Sequence, residues 1–486
     1  MNTANHHQDV IIVGAGLSGI CAAYYLKKEC PNHSFTILEM RGAMGGTWDL
    51  FRYPGVRSDS DMYTLGYAFR PWQDARAVTD GSTILQYIRD TAKDEGIEQK
   101  IKYHHKVKAA AWSSEEAQWT IEVENTQTQQ TLTYTCNFLF MCSGYYNYDH
   151  GYTPDFEGID DYKGRLIHPQ HWPEDLDYTG KRVLVIGSGA TAVTLVPAMT
   201  DKAEEVTMLQ RSPTYVVSKP AKDKFANALK KVLPSKMAHR IVRRRNIVME
   251  TFFYQLARRK PNFAKKMLIK NLKKELGHDY DVETHFTPSY NPWDQRVCLV
   301  PDSDLFIALK SGKARVITDH IHSFTEKGVQ LKSGVELSAD IIVTATGLEV
   351  KFLGDMKITM DGKEVDPTQK YVYRGLMLSD IPNLIQVIGY TNISWTLKAG
   401  LACEYVCRLL NYMQKKGFST CTPRLDQHSL DTDEPLINLS SGYFTRSRHK
   451  LPKQGSRDPW KLHQNYIRDV FKLRFGNLKD KAMEYK

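Results

Sequence analysis

The stretch DVIIVGAGLSGICAAYYLKK, which begins at Asp9, constrains this chain more than any other. A β-branched apolar run, glycines at Gly14, Gly16 and Gly19, and a series of helix formers read as a buried strand, a tight turn and a helix. That glycine spacing lets the backbone approach a ligand closely and aims the helix N-terminus at an anion. The following strand, SFTILEM, ends near Glu39, 20 residues after Gly19, where a carboxylate can bond a ribose diol. The chain is expected to open on a β-α-β unit that binds a dinucleotide.

The pattern returns 173 positions later, in GKRVLVIGSGATAVTLVPAM, as Gly187, Gly189 and Ala192. Alanine in the third place still permits helix-strand packing. Here the second strand ends in Gln210, Arg211 and Ser212 rather than in an acid. An acid would repel a 2′-phosphate, whereas Arg211 can pair with it and Ser212 can donate a hydrogen bond. The two ribose ends therefore differ: the first suits FAD and the second NADPH, with hydride passing from nicotinamide to flavin. The candidate contacts are Gly14, Gly16, Ser18, Gly19 and Glu39 for FAD, and Gly187, Ser188, Gly189, Ala190, Thr191, Ala192, Arg211 and Ser212 for NADPH.

A length of 486 residues accommodates roughly two to four packed units. YTCNFLFMCSGYYN and SADIIVTATGLEV each read as an apolar strand ending in glycine, and we take them as the two crossings between nucleotide domains. The expected fold is α/β, with two Rossmann-like domains, the second inserted in the first. Its FAD domain covers 1–144 and 347–486, its NADPH domain 145–218 and 291–346, and a basic helical insertion 219–290. From Lys219 to Lys274 there are 18 Lys and Arg against Asp223 and Glu250, or +16 of a net charge of +10. Ile247, Phe252, Phe253 and Leu256 recur there at helical spacing. A solvated face packed on the domain is one reading, and peripheral contact with a membrane surface the other. Nucleic acid is not expected, because no recognition module accompanies the charge.

Eight scattered cysteines lack any metal-ligand spacing, so no metal is expected and the thiols suit a reducing, cytoplasmic setting. The decapeptide MNTANHHQDV has neither the apolar core nor the cleavage site of a signal peptide. The region after the first glycine turn, GGTWDLFRYPGVRSDSD, contains no cysteine, which argues against a dithiol relay and leaves oxygen as the electron acceptor.

Two further motifs connect these parts to a family. Tyr162-x-Gly164-x-x-x-His168-x-x-x-Trp172-Pro173 lies just ahead of the second nucleotide fold, and Gly45-Gly46-x-Trp48 is followed by Tyr53-Pro54-Gly55 and Asp59. Over nearly its whole length the chain resembles the flavin-dependent Baeyer-Villiger monooxygenases, with Tyr162 in place of the usual Phe. The resemblance implies FAD contacts at Gly46, Thr47, Trp48, Asp59, Val107 and Asn392. It also implies a catalytic arginine, Arg296 in NPWDQRVCLVP, oriented by Asp59. Gln295 stands where some members have a lysine that helps hold the NADPH phosphate.

The implied reaction reduces FAD with NADPH, adds O2 at flavin C4a and inserts one oxygen beside a ketone carbonyl to give an ester or lactone. Sulfides and thioamides are further implied substrates. Outside the family match, Arg296 also reads as a structural ion pair and Asp59 as the N-cap of the helix MYTLGYAF. His168 and Trp172 are expected to set domain geometry and NADP retention. In NLIQVIGYTNISWTLKAG, a strand ending at Gly389 and a helix starting near Ser394 or Trp395 would aim a helix dipole at the flavin. Two other readings stand beside this one: a flavin monooxygenase acting on nitrogen or sulfur only, and a non-catalytic escort protein on the flavin fold.

Overall fold

The computed structural model describes residues 6–425, 434–437 and 442–486. The first five residues, which open the expected FAD segment and the decapeptide read for a signal peptide, lie outside them. Strand β1 (His6–Val13) is buried on both faces toward its C-terminal end, as a central parallel strand requires. It leads through the glycine turn into α1 (Leu17–Glu29) and then β2 (Phe35–Leu38), which pairs parallel to β1 with Val13 opposite Leu38. An antiparallel meander follows, β3 (His105–Ser113), β4 (Gln118–Asn125) and β5 (Thr131–Met141). The far half of β5 swings back beside β1, again in parallel, with Val13 opposite Met141.

The chain then builds a second sheet from β6 (Arg165–Ile167), β7 (Arg182–Ile186), β8 (Glu205–Gln210), β9 (Ala314–Thr318) and β10 (Ile341–Thr344). All five run parallel in the order β9-β8-β7-β10-β6. Helix α2 (Ala190–Met199) connects β7 to β8. The strand order reverses between β7 and β10, and the glycine turn of Gly187 sits at that reversal, where open α/β sheets bind ligands. After β10 the chain returns to the first sheet: Lys357–Met360 pairs with β3, and β11 (Leu384–Gln386) pairs with β5. One nucleotide fold is thus inserted in the other. β11 stops at Gln386, three residues short of Gly389, although Val387 N–H still reaches the Met141 carbonyl at 3.0 Å.

The stretch between β8 and β9 includes the consecutive helices α3 (Lys224–Val232), α4 (Ser235–Arg259) and α5 (Pro261–Leu276), followed by two shorter ones at Val282–Phe286 and Asp304–Lys310. The expected apolar stripe of α4 does not face inward as a unit. Ile247 is buried, but Phe252 and Phe253 point outward. The buried stripe instead carries His239, Val242, Arg243, Asn246 and Ile247. Arg243 and His239, both bonded to the opposing loop, share the inner positions with Val242 and Ile247, so hydrophobic periodicity alone misplaces the face. α5 buries Leu272 and Leu276 in the core of the second sheet. α4 lies on residues 59–72 of the first domain, so the hairpin straddles both.

Helix α6 (Trp395–Lys416) fills the first domain against α1. No described helix is long and apolar enough to cross a membrane.

Candidate active site

A cavity of 530 Å³ runs between the two sheets and reaches both glycine turns. The turns are built alike. Gly14 has φ +101° and its Cα faces the Cys142 carbonyl; Gly187 has φ +141° and faces that of Ala345. In both cases a Cβ would lie 2.7 Å or less from that oxygen, which belongs to the end of the returning strand. The turns must therefore be glycine to let the helix start next to the sheet edge. Helices α1 and α2 have Gly16 and Gly189 as N-caps, neither with a side chain to satisfy the first N–H groups. Both caps line the cavity, and a Cβ on Gly189 would meet nothing within 4 Å. Two uncapped helix N-termini beside open space fit the pyrophosphates of two dinucleotides.

Of the residues singled out in the sequence, the cavity gathers Gly14, Gly16, Ser18, Glu39, Gly45, Gly46, Thr47, Trp48, Tyr53, Asp59, Val107, Gly189, Ala190, Thr191, Gln295 and Arg296. Glu39 is buried, and burial pushes its carboxyl upward although it accepts N–H bonds from Ala15 (2.7 Å) and Arg41 (3.0 Å). Trp395 donates its indole N–H to Ser18 Oγ at 2.9 Å, tying the start of α6 to the first glycine turn. Behind Gly46, the buried carboxylate of Asp49 gathers Arg41 (2.7 Å), Arg89 (3.0 Å) and Arg52 (3.1 Å).

Gly19, Gly187, Ser188, Ala192, Arg211, Ser212 and Asn392 do not line the cavity. Ser188 Oγ donates to the Ser212 carbonyl at 3.1 Å, joining the second turn to the end of β8. Arg211 and Ser212 are exposed there. The Asn392 amide donates to the Gln464 carbonyl at 2.8 Å, while its neighbours Thr391 and Ile393 form the wall.

Arg296 and Asp59 face each other across 3.8 Å, with 41% and 30% of their side chains accessible, open to this space. The Asp59 carboxylate raises the guanidinium further above its already high range, so Arg296 stays protonated at any working pH. Capping of the short helix Met62–Leu65 falls to Asp61, which accepts from Tyr63 N–H (2.9 Å) and Thr64 N–H (3.2 Å). Asp59 is therefore not that N-cap.

Three hydroxyls that the sequence did not single out surround the pair: Tyr145, Tyr146 and Tyr443 all interact with the Arg296 charge. Burial pushes all three phenols up, so they remain neutral donors. Tyr145 and Tyr146 follow directly on the crossing glycine Gly144, which is their only trace in the sequence; Tyr443 is brought in from a distant segment. Arg446 is a second such residue. Its guanidinium stacks 3.4 Å from the centre of the Tyr152 ring, and it feels the charge of Arg211.

None of Tyr162, Gly164, His168, Trp172 and Pro173 lines the cavity. His168 Nε2 is 3.0 Å from the Gly347 carbonyl, and Nδ1 accepts the Gln170 N–H at 3.2 Å, which assigns the Nε2–H tautomer. Burial lowers the pKa of this imidazole and keeps it neutral. Gly347 follows β10, so the histidine joins the segment entering the second domain to the segment leaving it. The Tyr162 hydroxyl donates to the Ala339 carbonyl at 2.9 Å, a bond that Phe would lack. Trp172 packs on the second domain's core, which Tyr53 of the first domain also enters. Arg57 pairs with Asp304 across the same seam.

Among the described residues, no group of three or more His, Cys, Asp or Glu is placed to hold a metal. A family model for flavin-binding monooxygenase-like proteins matches residues 7–390. The chain belongs to the flavin-binding monooxygenase-like family. Within it, the FAD-containing monooxygenase EthA of Mycobacterium tuberculosis is 53% identical over 481 residues, covering 99% of this chain and 98% of that protein. Among solved structures, an oxidised steroid monooxygenase bound to NADP superposes with a TM-score of 0.77 at 20% identity, covering 99% of both chains. An ε-caprolactone-bound cyclohexanone monooxygenase gives 0.74 at 18%, covering 99% of this chain and all of that one. At those identities the likeness speaks for the two-domain fold of this flavin-binding monooxygenase-like chain.

Proposed function

We propose that this flavin-dependent monooxygenase is of the Baeyer-Villiger type, taking FAD and NADPH and converting a ketone, O2, NADPH and a proton into an ester or lactone, water and NADP⁺. The observation that carries the reading is the Arg296–Asp59 pair, a permanent cation on the wall of the cavity that reaches both glycine turns. The likeness to a lactone-bound ketone monooxygenase supports it.

The uncapped N-terminus of α1 and Glu39 would hold FAD by its pyrophosphate and ribose, with Gly46, Thr47, Trp48 and Val107 along its length. The α2 N-terminus would hold the NADPH pyrophosphate, and Arg211 its 2′-phosphate with Arg446 beside it. When bound, the two cofactors supply the hydride and the two-electron centre that activates O2. Arg296 stabilises negative charge on the oxygen nucleophile and on the carbonyl oxygen as it is attacked, without itself losing a proton. Asp59 holds the guanidinium in place and tempers its charge. The Tyr145, Tyr146 and Tyr443 hydroxyls offer neutral donors to the same oxygen atoms, and the aromatic walls exclude water. Sulfides and thioamides are alternative substrates in this reading, their sulfur acting as the nucleophile toward activated oxygen where a ketone is instead the electrophile.

Product analysis with NADPH and a panel containing a ketone and a sulfide tests this. Wild type is expected to give ester from the ketone. Arg296→Ala should keep flavin reduction by NADPH but lose ester formation by about 10²-fold or more, the effect of removing one charge-stabilising donor. Ester formation at the wild-type rate in Arg296→Ala would overturn the assignment. Sulfoxide without any ester from wild type would favour the monooxygenase acting on nitrogen or sulfur only.

A further inference from the structure

We propose that the outer face of the α4–α5 hairpin docks the protein on anionic phospholipid bilayers. Helix α4 carries large apolar side chains on its outer face as well as its inner one. The inner face is occupied: Val242 and Ile247 are buried, Arg243 Nη1 donates to the Tyr63 (2.6 Å) and Gly66 (2.8 Å) carbonyls, and His239 accepts the Trp72 N–H at 3.3 Å. Its outer face shows Val248, Met249, Phe252 and Phe253, with Phe252 60% exposed, and Phe263 at the start of α5 adds another ring. Eight of the fourteen exposed large apolar side chains among the described residues fall on α3, α4 and α5. Isolated exposed apolar side chains need no explanation, but a concentration of this kind marks a contact surface.

The charge around this patch names the occupant. Residues 224–276 contain 16 Lys and Arg and only two acids. Glu250 is turned inward, and Glu275 accepts a bond from Ser303 Oγ at 3.0 Å. Arg240, Arg244, Arg259, Lys260, Lys266 and Lys270 make no ion pair with the described residues. Arg240 and Arg244 precede the apolar patch by two turns and one turn on the same side of α4, and Arg259 and Lys260 follow it. Aromatic and aliphatic side chains flanked by unpaired cations, with no acid among them, match an anionic headgroup layer over an apolar interior. A protein partner would need a large apolar and acidic face; a nucleic acid would leave the phenyl rings in water.

The docking face also backs onto the cavity. Ile247, on the inner side of α4, packs with Tyr390 and Ile393, and both of these line the cavity. Glu250 lies against Asp61, two residues from Asp59. A bilayer held on the outer face therefore lies one helix diameter from the site wall, about 10 Å, which suits an apolar substrate that partitions into lipid.

The test is cosedimentation of the holoenzyme with vesicles of phosphatidylcholine alone and of phosphatidylcholine with phosphatidylglycerol, at low and high salt. Wild type is expected on the anionic vesicles only, with binding falling as salt screens the headgroups. Phe252→Ser/Phe253→Ser should lower the anionic-vesicle partition coefficient by about tenfold or more at unchanged flavin content. Arg240→Glu/Arg244→Glu, which spares the rings, should do the same. Failure of wild type to bind, or binding untouched by both variants, overturns the proposal. So would light scattering in which the Phe variant dissolves an oligomer without vesicles, or salt-sensitive binding of duplex DNA in place of vesicles.

Discussion

At the scale of single residues, the telling group is Glu250. Its carboxyl is buried on the inner face of α4, with Asp61 next to it, Asp59 beyond and the charge of Lys219 acting against them. Burial first, and then the charge of Asp61, hold its pKa well above the ordinary value of 4.5, so the folded protein keeps it protonated. The folded state then binds more protons than the unfolded chain wherever pH exceeds 4.5, and stability is lost as pH rises from there through the raised folded value. Glu250→Gln keeps a hydrogen-bond donor toward Asp61 but cannot ionise. The variant is expected to match wild type near about pH 4 and to exceed it by more than about 1 kcal/mol near pH 8. Urea unfolding at the two pH values checks this; an equal gain at both would mean the effect is packing, not titration. Arg296 is the converse case, a charge secured by its carboxylate partner rather than suppressed.

At the scale of elements, α4 shows where reading a sequence stops. The glycine turns were legible because each is local: strand, turn and helix lie within 20 or so residues, and the φ requirement at Gly14 and Gly187 is met inside that window. The two motifs around Trp48 and His168 were legible only as a resemblance, since contacts such as Gly45 to Ala15, Tyr53 to the second domain's core and His168 to Gly347 join segments far apart in the chain. Helix α4 was legible as a helix but not in its orientation, because polar Arg243 and His239 take inward positions whose partners are backbone groups of residues 63–72. Arg243 is the clearest instance: it caps the C-terminal carbonyls of the Met62–Leu65 helix, which carries no other cap there than Gly66. Arg243→Met should leave those buried acceptors unpaired and cost about 2–3 kcal/mol. Arg244→Ala, one position on and exposed, should change stability by less than about 0.5 kcal/mol. Equal effects of the two in urea unfolding would refute the capping role. Tyr145, Tyr146 and Tyr443 were illegible for the same reason as Arg243, since the fold alone brings them to Arg296.

At the scale of the whole molecule, one sheet is threaded through another, and the two segments that connect them run side by side. The geometry of the cavity depends on that joint, because Arg296 and α2 come from one domain and Asp59 and α1 from the other. His168 is one of the side chains that span it, with Thr346 donating to the Tyr152 carbonyl and Lys351 pairing with Asp149. Its neutral imidazole donates across 3.0 Å to the carbonyl of Gly347, and the close seat against Gly151, where a Cβ would lie 1.9 Å from the ring, leaves no room for water between them. Loss of the bond should loosen the two domains without touching the reacting groups. His168→Ala is therefore expected to keep flavin reduction at the wild-type rate while raising peroxide release per NADPH consumed and the KM for NADPH, by about fivefold for a bond of about 1 kcal/mol. His168→Gln, whose amide retains an N–H donor, should recover much of the coupling. A purely structural histidine would instead lower thermal stability in both variants and leave the ratio of peroxide to NADPH unchanged. That ratio, measured at saturating ketone, decides whether the joint governs the coupling of the two cofactors or only holds the chain together.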